Sequence, residues 1–481
     1  MNGVHGHLRI ALNPKSIAIV GASENPNKVG GRPLQFLQRY GFKGDVYPIN
    51  PSRSTTQGMQ SFRRLADLPQ APDLAIIAVA GAAAVDALEE CGAAGVKVAV
   101  VMSSGFSESD PVGGKELERR MVERARAQGM RIIGPNSQGI ANFGNGAIAS
   151  FSTMFAEAEP ADGPVGIVGQ SGAMSAAIYG LLRRRGLGVR YANATGNDSD
   201  VTACEMACAV AEDPDLKLLL LYLEGMPDPH HLACAARIAR EHDLPVIAVK
   251  SGRSEAGQAA ARSHTGALAS EDRVVDAFFE EHGILRARDV AELVAGAEVY
   301  VKNWRPAGRR LAAMSNSGAV CVLSADAAAI AGLTMAKLRP ETEYALKAVL
   351  PSFAHAVNPV DLTGALLTDS RLFGRALSAL SRDRDVDAYL IGIPVAGAGY
   401  DVELFAREAA ECASSTGKPV VVAAPQDAVG ACFRARGLPV FEFETEAILA
   451  LGRFMSHLDL MHRARGRRTW PEDPPPVRAG A

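Results

Sequence analysis

Short apolar runs alternate with stretches of helical spacing along the first third of the chain. SIAIVGA, DVYPIN, LAIIAVA, VKVAVVMSSG and RIIGPNS have the length and apolar content of buried strands. Between them GRPLQFLQRYG, AAVDALEECGAAG and GGKELERRMVERARAQG repeat their apolar positions at helical spacing. Strands that alternate with helices predict a parallel, doubly wound α/β sheet, whose ligands bind where the carboxyl ends of strands meet loops. Those loops carry Gly21-Ala22-Ser23, Asn50-Pro51, Ala80, Ser103-Ser104-Gly105 and Gly134-Pro135-Asn136.

The remainder repeats one α/β unit. Residues 163–303 contain GPVGIVGQSGAM, DPDLKLLLLYLEGM, LPVIAVKSG and HGILRARDVAELVAGAEVY. Residues 307–455 contain AGRRLAAMSNSGAV, DRDVDAYLIGIPVAG, KPVVVAAPQ and RGLPVFEFETEAILALGRFM in the same order. NWRPAG separates the copies. The expected domains are 1–158, 159–304 and 305–462, followed by a Pro-rich, charged tail, 463–481, expected to be disordered.

A chain of 481 residues exceeds one core and suits about three domains. A net charge of −3 leaves no basic footprint for nucleic acid. The opening MNGVHGHLRIALNPKS lacks a signal-peptide pattern, and the apolar run from Leu74 stops at Asp86, short of the ~20 residues that cross a membrane. The expectation is therefore a cytoplasmic protein with neither a membrane nor a nucleic-acid partner. The seven cysteines include no C-x-x-C pair. Cys204 and Cys208 share a helical face and are expected in a core, so no metal site is predicted.

Candidate chemistry narrows the ligand. The first loop, GASENPNKVGG, departs from G-x-G-x-x-G, and the second strand ends in Asn50-Pro51 where a nicotinamide dinucleotide would need an acid for its ribose. Ser23 at the turn and Lys28 beyond it suit a phosphate at a helix start, as in a phosphorylated adenine carrier other than NAD. Glycines that only make tight turns are the alternative.

In each repeat the first strand runs into a polar loop that opens a helix, Gln170-Ser171-Gly172 and Asn316-Ser317-Gly318. One helix N-terminus is worth roughly 0.3–1 kcal/mol to an exposed anion, so a single loop is either a weak phosphate trap or a plain cap. Two aimed at one phosphoryl group could hold it. Only the first repeat adds RSEAGQAAARSHTGALASEDRVV, read as a glycine- and alanine-rich loop, in which His264 is a candidate nitrogen nucleophile. Glu224, at a strand end in LLLLYLEGM, is the carboxylate that could fix its tautomer. A solvated loop histidine is the plain alternative.

GASENPNKVG, GPNSQG, GIVGQSGA, DPDLKLLLLYLEG, KSGRSEAG with SHTGALA, and NPVDLTG, in that order, resemble the NDP-forming acyl-CoA synthetases. The resemblance covers residues 10–460 and is greatest to the alpha subunit of ADP-forming acetate–CoA ligases. It implies a Rossmann-like coenzyme A-binding domain followed by two flavodoxin-like α/β domains. It also implies interconversion of acyl-CoA, phosphate and NDP with carboxylic acid, CoA and NTP through acyl phosphate and phosphohistidine. His264 matches the phosphohistidine and Glu224 the glutamate that hydrogen-bonds it. The helices beginning at Gln170, Ser171, Gly172 and at Asn316, Ser317, Gly318 match the pair that binds phosphate. Gly21, Ser23, Lys28, Asn50, Ser104 and Asn136 fall in the loops that hold coenzyme A.

The family's nucleotide chemistry needs an ATP-grasp domain, and the sequence holds no candidate segment for one. The expectation is a separate ATP-grasp beta subunit that brings ADP or GDP with Mg2+. The rival expectations are a CoA-binding regulatory protein without ligase activity and a nicotinamide oxidoreductase, which would need the missing G-x-G-x-x-G and ribose-binding acid. GNDSDVTACEMACAV is a second departure, since the family often has more acidic residues after GN.

Overall fold

The computed structural model describes residues 6–265 and 271–466, the side chains at 82 and 261–265 excepted. The chain divides into two compact units, Met1–Val294 with Leu460–Ala481, and Ala295–Asp459. The first unit contains two large sheets.

The first sheet contains β1 (Ser16–Val20) and β2 (Asp45–Ile49). A small hairpin, β3 (Thr55–Thr56) and β4 (Met59–Gln60), follows, and then β5 (Leu74–Ile77), β6 (Val98–Val101) and β7 (Arg131–Ile133). The order is β2-β1-β5-β6-β7, parallel throughout. These are the five expected runs. Ile17, Ile19, Leu74, Ile76, Val98 and Val100 enter one core, while Ala18, Ala75, Ile77, Ala99 and Val101 enter another. A strand covered on both faces needs apolar residues at every position, which is why these segments do not alternate.

The second sheet contains β8 (Gly139–Asn142), β9 (Ala147–Ser150), β10 (Val165–Gly169), β11 (Tyr191–Ala194), β12 (Leu218–Leu223), β13 (Val246–Lys250) and β14 (Leu285–Ala287). Its order is β14-β13-β12-β10-β11-β8-β9, with only the β8 pairings antiparallel. The hairpin β8–β9 falls within the span 1–158, yet its hydrogen bonds join it to this second sheet through β11.

The second unit carries β15 (Arg310–Ser315), β16 (Thr334–Met335), β17 (Val360–Asp361), β18 (Ala388–Gly392), β19 (Val420–Ala423) and β20 (Val440–Phe441). Its order is β16-β15-β18-β19-β20, with β17 beside β15. The core of the second sheet, β11-β10-β12-β13-β14, has the same order. Both are the flavodoxin-like arrangement 2-1-3-4-5, so the sequence repeat is a repeated fold, with ligand crevices expected between β10 and β12 and between β15 and β18.

One local expectation fails. The stretch read as a loop after β13 is helical over Glu255–Thr265. Ser254 Oγ accepts from Gly257 N at 3.0 Å, Glu255 lies in the first turn, and the alanines that follow are the strongest helix formers. The backbone of His264 belongs to the last turn of this helix. Its side chain, residues 266–270 and the tail from 467 lie outside the described residues.

Candidate functional site

The loops at the carboxyl edge of the first sheet contain all six residues expected to meet coenzyme A. Gly21 follows β1 with φ +88°, and a Cβ there would stand 2.7 Å from Val79 Cγ1, so the close turn requires glycine. Ser23 lies in the loop from Ala22 to Gly31, where its N–H donates to Gly30 O at 3.2 Å; Lys28, also there, is exposed. Helix Arg32–Arg39 starts next. Asn50, after β2, spends its side chain on this frame: Nδ2 donates to Ala22 O at 2.9 Å and Oδ1 accepts from Ser52 N at 2.9 Å. Gln57, which the sequence pattern did not single out, donates to both Ser23 O and Gly31 O at 2.8 Å and staples the two ends of the loop. Ser104 is exposed after β6. Asn136, after β7, reaches away to Asn197, donating to its Oδ1 at 3.2 Å.

Gln170 and Glu224 follow the adjacent parallel strands β10 and β12, on either side of the crevice. Gln170 Oε1 accepts from the backbone N–H of Glu224 and, at 2.9 Å, from that of Gly225. Its Nε2 donates to Asp198 Oδ2 at 2.6 Å. Ser171 caps helix Gly172–Arg184, its hydroxyl accepting from Met174 N at 3.4 Å. A Cβ on Gly172 would overlap the Gln138 side chain. Next to β12, β13 ends in Lys250, which is buried, and Ser251 N donates to Leu223 O at 2.9 Å. Burial pushes the Lys250 ammonium below its usual range. The chain then enters the helix that carries His264, so that helix starts from the same sheet edge as Glu224. Asp198 and Lys250 were missed as site residues, although GNDSD and VKSG were both visible in the sequence.

In the second unit, Asn316 follows β15 and donates from Nδ2 to Val395 O, beyond β18, at 2.8 Å. Its Oδ1 is buried without a hydrogen-bond partner. Ser317 is the N-cap of helix Gly318–Ile330, but its hydroxyl makes no capping bond. The pattern also passed over Asp361, in NPVDLTG, whose Oδ1 accepts from Thr363 N at 2.8 Å and whose Oδ2 lies against Gly318. That carboxylate raises the nearby Cys321 thiol, already raised by burial, to about 12.

Cys204 and Cys208 are fully buried, as expected of core residues. No described helix is long and apolar enough to cross a membrane.

Three family models match in chain order. They are a CoA binding domain over 15–142, a succinyl-CoA ligase like flavodoxin domain over 162–300 and a ligase-CoA domain over 311–447. The subunit alpha of acetate–CoA ligase [ADP-forming] II from Pyrococcus furiosus is 35% identical over 377 residues, 78% of this chain and 80% of the relative. Subunit alpha of its ligase I is 33% identical, over 74% of this chain and 77% of the relative. Acetate–CoA ligase [ADP-forming] of Methanocaldococcus jannaschii is 36% identical over 74% of this chain, but the chain spans only 49% of that longer relative. Among solved structures, the dinucleotide-forming acetyl-coenzyme A synthetase 1 of Ca. Korarchaeum cryptofilum, in complex with phosphate and ADP, superposes with a TM-score of 0.87. It is 30% identical, covering 97% of this chain and 99% of that one.

Proposed function

Because the chain belongs to the NDP-forming acyl-CoA synthetases, a family of acid–thiol ligases, we propose that it performs the alpha-type part of acyl-CoA + phosphate + NDP ⇌ carboxylic acid + CoA + NTP. The observation that carries this assignment is the pairing of Gln170 with the Glu224 segment across the β10–β12 crevice. It sets a polar helix start and a carboxylate at the switch point of a flavodoxin-like sheet.

The residues act in sequence. The loops containing Gly21, Ser23, Lys28, Asn50, Ser104 and Asn136 hold coenzyme A, with Asn50 shaping the first loop more than touching the ligand. Phosphate is held at the start of helix Gly172–Arg184 by Gln170, Ser171 and Gly172, and the helix start at Asn316, Ser317 and Gly318 has the same phosphate-binding character. A phosphate oxygen attacks the thioester carbonyl, the C–S bond breaks, and the thiolate leaves and takes up a proton. A ring nitrogen of His264 then attacks phosphorus of the acyl phosphate and the carboxylate departs. Glu224 orients the imidazole and balances the charge it gains.

NDP finally receives the phosphoryl group. We assign that step to a separate ATP-grasp beta subunit, in keeping with relatives that are themselves named alpha subunits. Mg2+ belongs there too. Among the described residues no group of three His, Cys, Asp or Glu side chains is placed to hold a metal ion.

The test is incubation with acetyl-CoA and radiolabelled phosphate. Acid-labile, alkali-stable label on His264 is expected. Saturable CoA binding with no label, even with an ATP-grasp partner and NTP, would leave only the regulatory CoA-binding alternative.

A further inference from the structure

Asp198 combines costs that a bystander would not keep. Its backbone is left-handed, φ +54°, where an aspartate is less at ease than glycine. Its Oδ1 is sealed from solvent without a well-formed hydrogen bond, with Thr195 nearby. Burial and then the proximity of Glu224 hold its carboxyl up at about 6. The Cys204 thiol faces it from helix Ala203–Ala211 and is itself raised by burial and by this carboxylate. Costs concentrated in one residue beside a candidate site point to a role there.

The geometry gives that role. Asp198 Oδ2 accepts from Gln170 Nε2 at 2.6 Å and from Ala203 N at 3.2 Å. The opposite end of the same Gln170 amide accepts from the N–H groups of Glu224 and Gly225. A glutamine amide has one acceptor and one donor end, so an acceptor at Asp198 directs its oxygen to the end of β12. The flanking residues hold Asp198 in place against β7, helix Gly113–Ala127 and the loop before it. Asn197 Nδ2 donates to Glu118 Oε1 at 2.8 Å and to Glu108 Oε2 at 2.7 Å, and Ser199 Oγ donates to Glu118 Oε2 at 2.7 Å. Asp200 Oδ2 accepts from Ile132 N at 2.7 Å.

We propose that Asp198 is a positioning residue that, through Gln170, fixes the strand end carrying Glu224 and so readies the phosphoryl site. It acts as the carboxylate, since two donors, Gln170 Nε2 and the Ala203 N–H, converge on Oδ2. The part of this proposal that concerns phosphoryl transfer rests on the function proposed above.

The experiment uses the full chain with Asp198→Asn, which keeps shape and an acceptor but not charge, and Asp198→Gly, which relieves the backbone and removes the acceptor. Hydrogen exchange is followed in peptides covering Glu224 and Gly225, and His264 labelling from acetyl-CoA and phosphate is followed from pH 5 to 8. Asp198→Gly is expected to speed exchange of those amides at least tenfold and to slow labelling by a similar factor. Asp198→Asn is expected to abolish the wild-type loss of labelling rate below about pH 6, with the acetyl-CoA concentration at half-maximal rate unchanged. Unchanged exchange in Asp198→Gly, or an unaltered pH profile in Asp198→Asn, would overturn the proposal. If exchange responds but wild type is never labelled, the phosphoryl assignment fails while the positioning of Glu224 by Asp198 stands.

Discussion

The carboxylate of Asp361 stands 2.8 Å from the point where a side chain would begin on Gly318, at the first residue of helix Gly318–Ile330. That helix start has room for glycine and already faces one negative charge. Gly318→Asp adds a second carboxylate to the same N–H groups, so the phosphate proposed to bind there would meet both competition for those groups and repulsion from the carboxylates. We predict about a hundredfold loss of His264 labelling, the scale of losing a preorganised anion donor, with CoA affinity unchanged. Isothermal titration with CoA beside a labelling assay measures both. Full labelling would make this helix start structural.

Gly21 gives a second prediction. The left-handed turn costs an alanine roughly 1–2 kcal/mol, and its Cβ would press on Val79, so Gly21→Ala should lower the melting temperature and weaken CoA binding together. In wild type, CoA at a hundred times its dissociation constant should stabilise the protein by about 2.7 kcal/mol, whereas NAD should give no shift. A shift with NAD alone would reinstate the nicotinamide alternative.

The first sheet was legible because strands buried on both faces need unbroken apolar runs, and the repeat because like folds place like strands in order. Long-range hydrogen bonds leave no such trace. Gln57, Asp198 and Asp361 work through partners 26 to 43 positions away or through proximity to a glycine, and nothing in their immediate sequence announces it. The His264 segment reads as a loop from its glycines, yet its more numerous alanines are the strongest helix formers. The decisive signals were the Ser254 cap and Glu255, just before the small residues. The place of the β8–β9 hairpin in the second sheet was invisible for another reason: its partner, β11, lies 49 residues downstream at Tyr191↔Asn142, far beyond the window of roughly 11–18 residues in which periodicity is read.

Asp198 also makes a prediction about stability against pH. Its folded pKa, about 6, lies above the ordinary 3.8, so between those values the native state binds more protons than the unfolded chain and stability falls as pH rises. The penalty is absent at low pH and complete above about pH 6. Asp198→Asn should therefore stabilise the protein at pH 7.5, by on the order of 1–2 kcal/mol, raising its melting temperature, and change it little at pH 4. Thermal scans at the two pH values decide it. Equal shifts at both would mean that the gain comes from backbone relief and not from the buried charge.

His264→Ala should remove the phosphoryl label and turnover while leaving the fold intact. Alanine is the best helix former, and position 264 lies in the last turn of helix Glu255–Thr265, so the backbone loses nothing by the exchange. Circular dichroism and CoA affinity should match wild type. No neighbour in the sequence can substitute: Ser263 and Thr265 are hydroxyls without an adjacent base of their own, and an unactivated hydroxyl is a weak nucleophile near neutral pH. The label itself distinguishes the cases, since a phosphoramidate hydrolyses in acid and survives alkali, whereas a phosphoserine or phosphothreonine does the reverse. Labelling from acetyl-CoA and phosphate requires no nucleotide and can be run on this chain alone; labelling from NTP requires the partner. Glu224→Gln provides the complementary measurement, because it keeps a hydrogen-bond acceptor but not the charge proposed to balance a protonated or phosphorylated imidazole. It should slow labelling by about 10²–10⁴-fold without eliminating it. Acid-stable label, or label that persists in His264→Ala, would place the nucleophile elsewhere and end the phosphohistidine mechanism.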